Sequence, residues 1–113
     1  MILHGAEQTL TRTAAVHCEV MFSPMYIGEP LFPAVQQYLR SKNFELIDLL
    51  VSVRYHYLTP SGRGTPDRLL WADAVFFRET DDPETHRMQA LIAAAVYQKP
   101  TLAEHLLLLS EQN

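Results

Sequence analysis

The stretch RLLWADAVFFR, Arg68–Arg78, decides the fold. In a strand, alternate side chains point to opposite faces, so one face here carries Leu69, Trp71, Val75 and Phe77. The other carries Leu70, Ala72, Ala74 and Phe76. A strand that is apolar on both faces belongs in the middle of a sheet covered from both sides. The rest of the chain should therefore supply strands to flank this segment and helices to cover it.

Upstream, Ala15–Phe22 (AVHCEVMF) alternates, with Val16, Cys18, Val20 and Phe22 on one face and His17, Glu19 and Met21 on the other. That period of two predicts a strand. Glu45–Tyr57 (ELIDLLVSVRYHY) is a long β-branched and aromatic run and predicts another. Between it and Arg68 lies TPSGRGTPDR, a turn signal too long for a tight hairpin. Gly5–Arg12 predicts a short helix with Ala6, Leu10 and Leu3 inward. LFPAVQQYLRSKNF predicts a helix from Pro30, with Leu31, Val35, Tyr38 and Leu39 on one stripe and Asn43 as its stop. After the acidic stretch ETDDPE, THRMQALIAAAVYQ and TLAEHLLLLSEQ predict a helical hairpin broken at Lys99-Pro100. Thr101 with Glu104 is spaced as a capping box, and part of the Leu106–Leu109 run should meet the core or another subunit. The expected fold is α/β, with about three strands and a C-terminal helical hairpin. Residues 1–80 form the sheet unit and 81–113 the helical extension.

At 113 residues, 48% hydrophobic and 19% charged, the chain is sized and composed for one packed domain. A formal charge of −4, without basic runs, argues against nucleic acid as a partner. One cysteine, Cys18, excludes an internal disulfide and fits a reducing, cytoplasmic setting. No apolar run approaches the length of about 20 residues needed to span a membrane, so no membrane partner is expected. MILHGAEQ has no signal-peptide character.

The connection EVMFSPMYIGEPLFPAV, Glu19–Val35, is long and crowded with prolines, where strand-to-helix loops typically run about 2–6 residues. Taken in order, GAEQTL, EVMFSPMYIGEPLF, LRSKNFELIDL and LLWADAVFFR resemble the second half of the FkbM-type family of S-adenosylmethionine-dependent methyltransferases. The resemblance covers Ile2–Arg78. It implies the last three strands of a Rossmann-like methyltransferase sheet, with the final strand antiparallel and inserted between the two before it. It also implies that Glu19, Tyr26 and Glu29 lie on the substrate side, in loop positions of the family.

The family grips its cofactor through a glycine-rich turn and an acidic residue in the half that precedes GAEQTL. Here Met1 stands at that point, and Gly5, Gly28, Gly62 and Gly64 form no strand–GxGxxG–helix unit. The expectation is a truncated, non-catalytic structural or interaction module that holds no cofactor of its own. One alternative is an O-methyltransferase for a small-molecule or carbohydrate acceptor, with S-adenosylmethionine bound only when another chain completes it. Another is a small-ligand binding protein using the Tyr26–Pro30 loop. Without an outer neighbour, the Ala15–Phe22 edge is expected to be covered by self-association as a homo-oligomer or by a partner chain.

Among the remaining polar residues, Asp73 on its apolar strand needs a partner, and Arg54 and His56 are candidates as a structural pair. A perturbed catalytic acid at Asp73 is the alternative. For Glu19 and Tyr26 the plainer reading is a capping carboxylate and a stiffened turn. His17 and Cys18 point to opposite faces, and His4, His86 and His105 show no ligand spacing, so no metal is expected. Cys18 reads as core packing and Arg63 as a solvated loop cation.

Overall fold

The computed structural model describes residues 6–24 and 27–112. Their order is α1 (Glu7–Leu10), β1 (Ala15–Met21), α2 (Phe32–Ser41), β2 (Phe44–His56), β3 (Pro66–Arg78), α3 (Pro83–Ala95) and α4 (Pro100–Ser110). The sheet is open and three-stranded in the order β1-β3-β2, and β3 runs antiparallel to both neighbours. The doubly apolar strand is thus the central one. The architecture is α/β.

The two faces of β3 build two separate cores. Ala74 and Phe76, fully buried, join Val20, Leu10, Val35, Leu39 and Phe44 beneath α1 and α2, with Val16, Cys18 and Phe22 packed against them. Val75 and Phe77 join Ala90, Ala93, Ala103 and Leu106 beneath the α3–α4 hairpin, with Ala15, Ile47 and Leu109 alongside. The sheet is therefore a middle layer, helix on one side and helical hairpin on the other. Of the leucine run, Leu106 is buried, whereas Leu107 and Leu108 are exposed.

Local chemistry explains the element boundaries. Each of the three longer helices carries a proline in its first turn, where a missing N–H costs nothing. The helix expected from Pro30 starts at Phe32 instead, after an extended Leu31, with Pro33 in that first turn. It ends as expected, because Asn43 takes a left-handed conformation (φ 68°) that asparagine tolerates. At the start of α3, the Asp82 carboxylate accepts from the Thr85 N–H at 3.1 Å and from the Thr85 hydroxyl at 2.7 Å. These bonds, the hydroxyl first, hold the Asp82 carboxyl below its ordinary range. The expected capping box at Thr101–Glu104 does not form. Pro100 takes the first helical position, so the cap falls on Lys99 and Thr101 lies inside the helix.

The two edges of the sheet differ. β1 keeps one unbroken register against β3, from Ala15 opposite Phe77 to Met21 opposite Trp71. β2 slips register around Ile47 and again around Val51, which has φ 42°. A β-branched residue in that region is strained, and such bulges spoil an edge for further pairing. Further along, the β2–β3 ribbon runs out beyond the helices, and the molecule measures 62 × 31 × 16 Å. No helix among the described residues is long and apolar enough to cross a membrane.

Candidate functional site

The exposed side of β1 is the first candidate. Phe22 N–H donates to Leu70 O at 2.9 Å and Arg78 N–H to Ala14 O at 3.0 Å, at either end of the β1–β3 ladder. Antiparallel pairing alternates, so the even-numbered residues of β1 direct their backbone groups to β3. Ala15, His17, Glu19 and Met21 direct theirs outward. No strand lies beside them among the described residues.

Above this edge, on the hairpin face, His17 links the strand to the helices. Its Nδ1 is 2.8 Å from Tyr97 Oη, and the two rings stack with centroids 5.8 Å apart. Its Nε2 lies 3.4 Å from Asp73 Oδ2, longer than a tight hydrogen bond. Burial pushes the Tyr97 phenol up, which keeps it protonated and able to donate to the imidazole. With one nitrogen on Tyr97 and the other on Asp73, the imidazole offers no free nitrogen as a general base. The arrangement pins β1 to the hairpin. Glu19 stands exposed and directly across from Asp73, so two carboxylates share that row.

This geometry corrects one expectation. Arg54 and His56 are not the partners of Asp73. On β2, Asp73 is registered against Leu50, whereas Arg54 faces Leu69 and His56 faces Pro66, out on the exposed ribbon. The side chain that meets it is His17, delivered by the other neighbouring strand. Of the loop positions, Tyr26 lies outside the described residues. Glu29 is half-buried, and its Oε2 has no partner among the described residues. Cys18 faces the α2 side as read, and burial, reinforced by the Asp73 charge, pushes its thiol up.

Two larger grooves lie away from this edge. One, of about 570 Å³, lies between the sheet end and the hairpin and is lined by Glu45, His86, Gln89 and His105 among others. His86 Nε2 is 2.8 Å from Thr80 O, so the proton sits on that nitrogen. Its Nδ1 is buried without a partner among the described residues. The second groove, of about 420 Å³, is formed by Ser23, Pro24, Tyr55, Tyr57, Arg68 and Leu70. Tyr55 and Tyr57 meet edge to face at 5.1 Å, and Arg68 donates to Tyr57 Oη at 3.3 Å. Sequence reasoning missed this groove, because its walls come from segments far apart in the chain. Tyr55 and Tyr57 two apart on a strand, with an arginine after the turn, were the available signal.

Among the described residues, no group of three or more His, Cys, Asp or Glu side chains is arranged to hold a metal ion. Comparison with family models, with curated proteins and with solved structures yields no match to this chain.

Proposed function

We propose that the chain is a structural interaction module whose β1 edge accepts a further strand. The observation that carries this is the contrast between the two sheet edges. β1 is regular over its whole length and free of Pro and Lys, whereas β2 is bulged twice. An unblunted edge with outward N–H and C=O groups is a template for strand addition. The finer reading rests on the residues quoted above from Ile2 to Arg78. In it, the sheet is the carboxyl-terminal part of a Rossmann-like domain of FkbM methyltransferase type. This chain's own residues then hold no S-adenosylmethionine, and methyl transfer requires a cofactor site supplied from elsewhere.

Amide hydrogen exchange on the purified chain tests the edge. The outward His17 N–H is expected to exchange as slowly as the β3-directed amides of Val16, Cys18 and Val20. In Glu19→Pro, which removes an outward N–H and none of the β3 ladder, His17 protection is lost while the other three stay slow. A wild-type His17 amide that exchanges freely beside slow Val16 and Cys18 refutes edge pairing. Calorimetric titration with S-adenosylmethionine is expected to give no heat, and saturable binding would overturn the non-catalytic reading.

A second reading is favoured by the groove at Tyr55, Tyr57 and Arg68. Two tyrosine rings and a guanidinium beside Ser23-Pro24 suit a small polar ligand such as a carbohydrate. Chemical-shift changes at Tyr55 and Arg68 with a saccharide panel, abolished in Tyr57→Ala, are expected under that reading. An unresponsive panel removes it.

A further inference from the structure

We infer that the strand completing the β1 edge is β1 of a second copy, antiparallel across a two-fold axis at Cys18, with His17 facing Glu19 of the partner subunit. The inference rests on the edge-pairing reading above and adds to it the occupant and the register.

The backbone limits the choices. Outward groups belong to Ala15, His17, Glu19 and Met21, so a symmetric antiparallel pairing must set odd-numbered residues opposite odd-numbered residues. An axis falling between two residues sets outward groups of one strand against inward groups of the other and is excluded. The axis must pass through a residue, and near the middle of the strand that is His17, Cys18 or Glu19.

Side chains choose among the three. An axis at Glu19 opposes the two Glu19 carboxylates, each already directly across from its own Asp73, so four carboxylates line one row. An axis at His17 opposes two imidazoles and leaves Glu19 facing Ala15. An axis at Cys18 sets His17 against Glu19 twice, on the hairpin face where Glu19 otherwise has only Asp73 across from it. It also sets Val16 against Val20 on the α2 face, in line with the existing apolar cluster. Cys18 is the midpoint of the seven-residue strand, so only this register pairs all of Ala15–Met21. The product is one continuous six-stranded sheet with an isologous contact, the commonest symmetry for a self-complementary patch.

The chain's single cysteine reports on this register. On the axis, the two Cys18 residues form a non-hydrogen-bonded pair with Cα atoms about 4.5 Å apart. That separation lies inside the range of about 4.4–6.8 Å that a disulfide spans. The 113-residue chain is oxidised with diamide at alkaline pH, since burial and Asp73 raise the thiol. Two thiols become one disulfide, and their two electrons and two protons pass to diamide, giving the hydrazine. The expected product is a disulfide-linked dimer, lost in Glu19→Pro and in Cys18→Ser.

A mixture of Cys18→Ser/Val16→Cys with Cys18→Ser/Val20→Cys is expected to cross-link, and neither variant alone. Sedimentation of the unmodified wild-type chain needs no variant and is expected to show a dimer. A dimer with slow His17 exchange but no Cys18 cross-link overturns the register and leaves edge pairing standing. A monomer at every concentration with slow His17 exchange overturns the second copy as occupant, again without touching edge pairing. A monomer with free His17 exchange overturns both.

Discussion

Replacing Gln89 with methionine should cost the protein a large part of its stability, although the change adds hydrophobicity to a helix. Gln89 lies on α3 and is 1% exposed. Its Nε2 donates to Ala14 O at 2.9 Å and to Arg78 O at 2.8 Å, the backbone entering β1 and leaving β3. Both partners are acceptors, so the amide nitrogen, and not the oxygen, must face them. Methionine keeps the length and shape of the side chain and removes both donors. Ala14 O retains the Arg78 N–H at 3.0 Å, whereas Arg78 O loses its side-chain donor. Two hydrogen bonds at about 0.5–1.5 kcal/mol each, with the desolvation of one carbonyl, give a loss of about 2–3 kcal/mol. Small domains hold about 5–15 kcal/mol in total, so the effect is a substantial fraction.

With a urea m-value of about 2 kcal/mol/M, the midpoint should fall by about 1 M at unchanged m. Trp71, the chain's only tryptophan, and far-UV circular dichroism should report the same transition. A midpoint equal to wild type would show that the bridge between hairpin and sheet contributes nothing, and the reasoning would fail.

Three further outcomes are expected. Asp48 accepts a hydrogen bond from Lys99 Nζ at 2.6 Å, which holds its carboxyl below the ordinary value of 3.8. Its contribution is therefore complete above that value and disappears as the pH falls through the lower folded one. Urea midpoints measured down the acid range should converge with those of Asp48→Asn, and high salt should shrink the gap, since the pair is partly exposed. Val51→Gly should raise the midpoint, because relief of a left-handed β-branched residue, about 1–2 kcal/mol, exceeds glycine's entropic penalty of about 0.5–1 kcal/mol; a lower midpoint contradicts that account. Phe76→Ala empties the centre of the α2-side core and should cost about 3–5 kcal/mol, lowering the urea midpoint by about 1.5–2.5 M. A small midpoint shift would place Phe76 outside the decisive packing.

Local patterning made much of the fold legible. The period of two in AVHCEVMF assigned Val16, Cys18, Val20 and Phe22 to one face, where they pack on a single core. The two apolar faces of Arg68–Arg78 announced a central strand, and the structure divides them between two cores. Asn43 marked its helix end because tolerance of positive φ is a property of the residue itself. The missed capping box has an equally local cause. Thr101 and Glu104 had the right spacing, but Pro100 is the better first helical residue and took that place.

The candidate site was less legible, because its contacts join residues far apart in the chain. Asp73 was matched with Arg54 and His56 on the strand that precedes it in sequence, yet its partner came from β1. The bulges at Ile47 and Val51 also shift β2 by amounts that no alternation of residue types encodes. The same is true of Gln89, whose two carbonyl partners exist only once the hairpin lies on the sheet. From the sequence alone come the elements, their faces and the centrality of one strand, since these follow from backbone periodicity and burial of apolar side chains. Which strand flanks which residue, which edge stays regular and which polar side chains meet are decided by register and packing. Those depend on how separate segments fit together, and only the tertiary structure contains that fit.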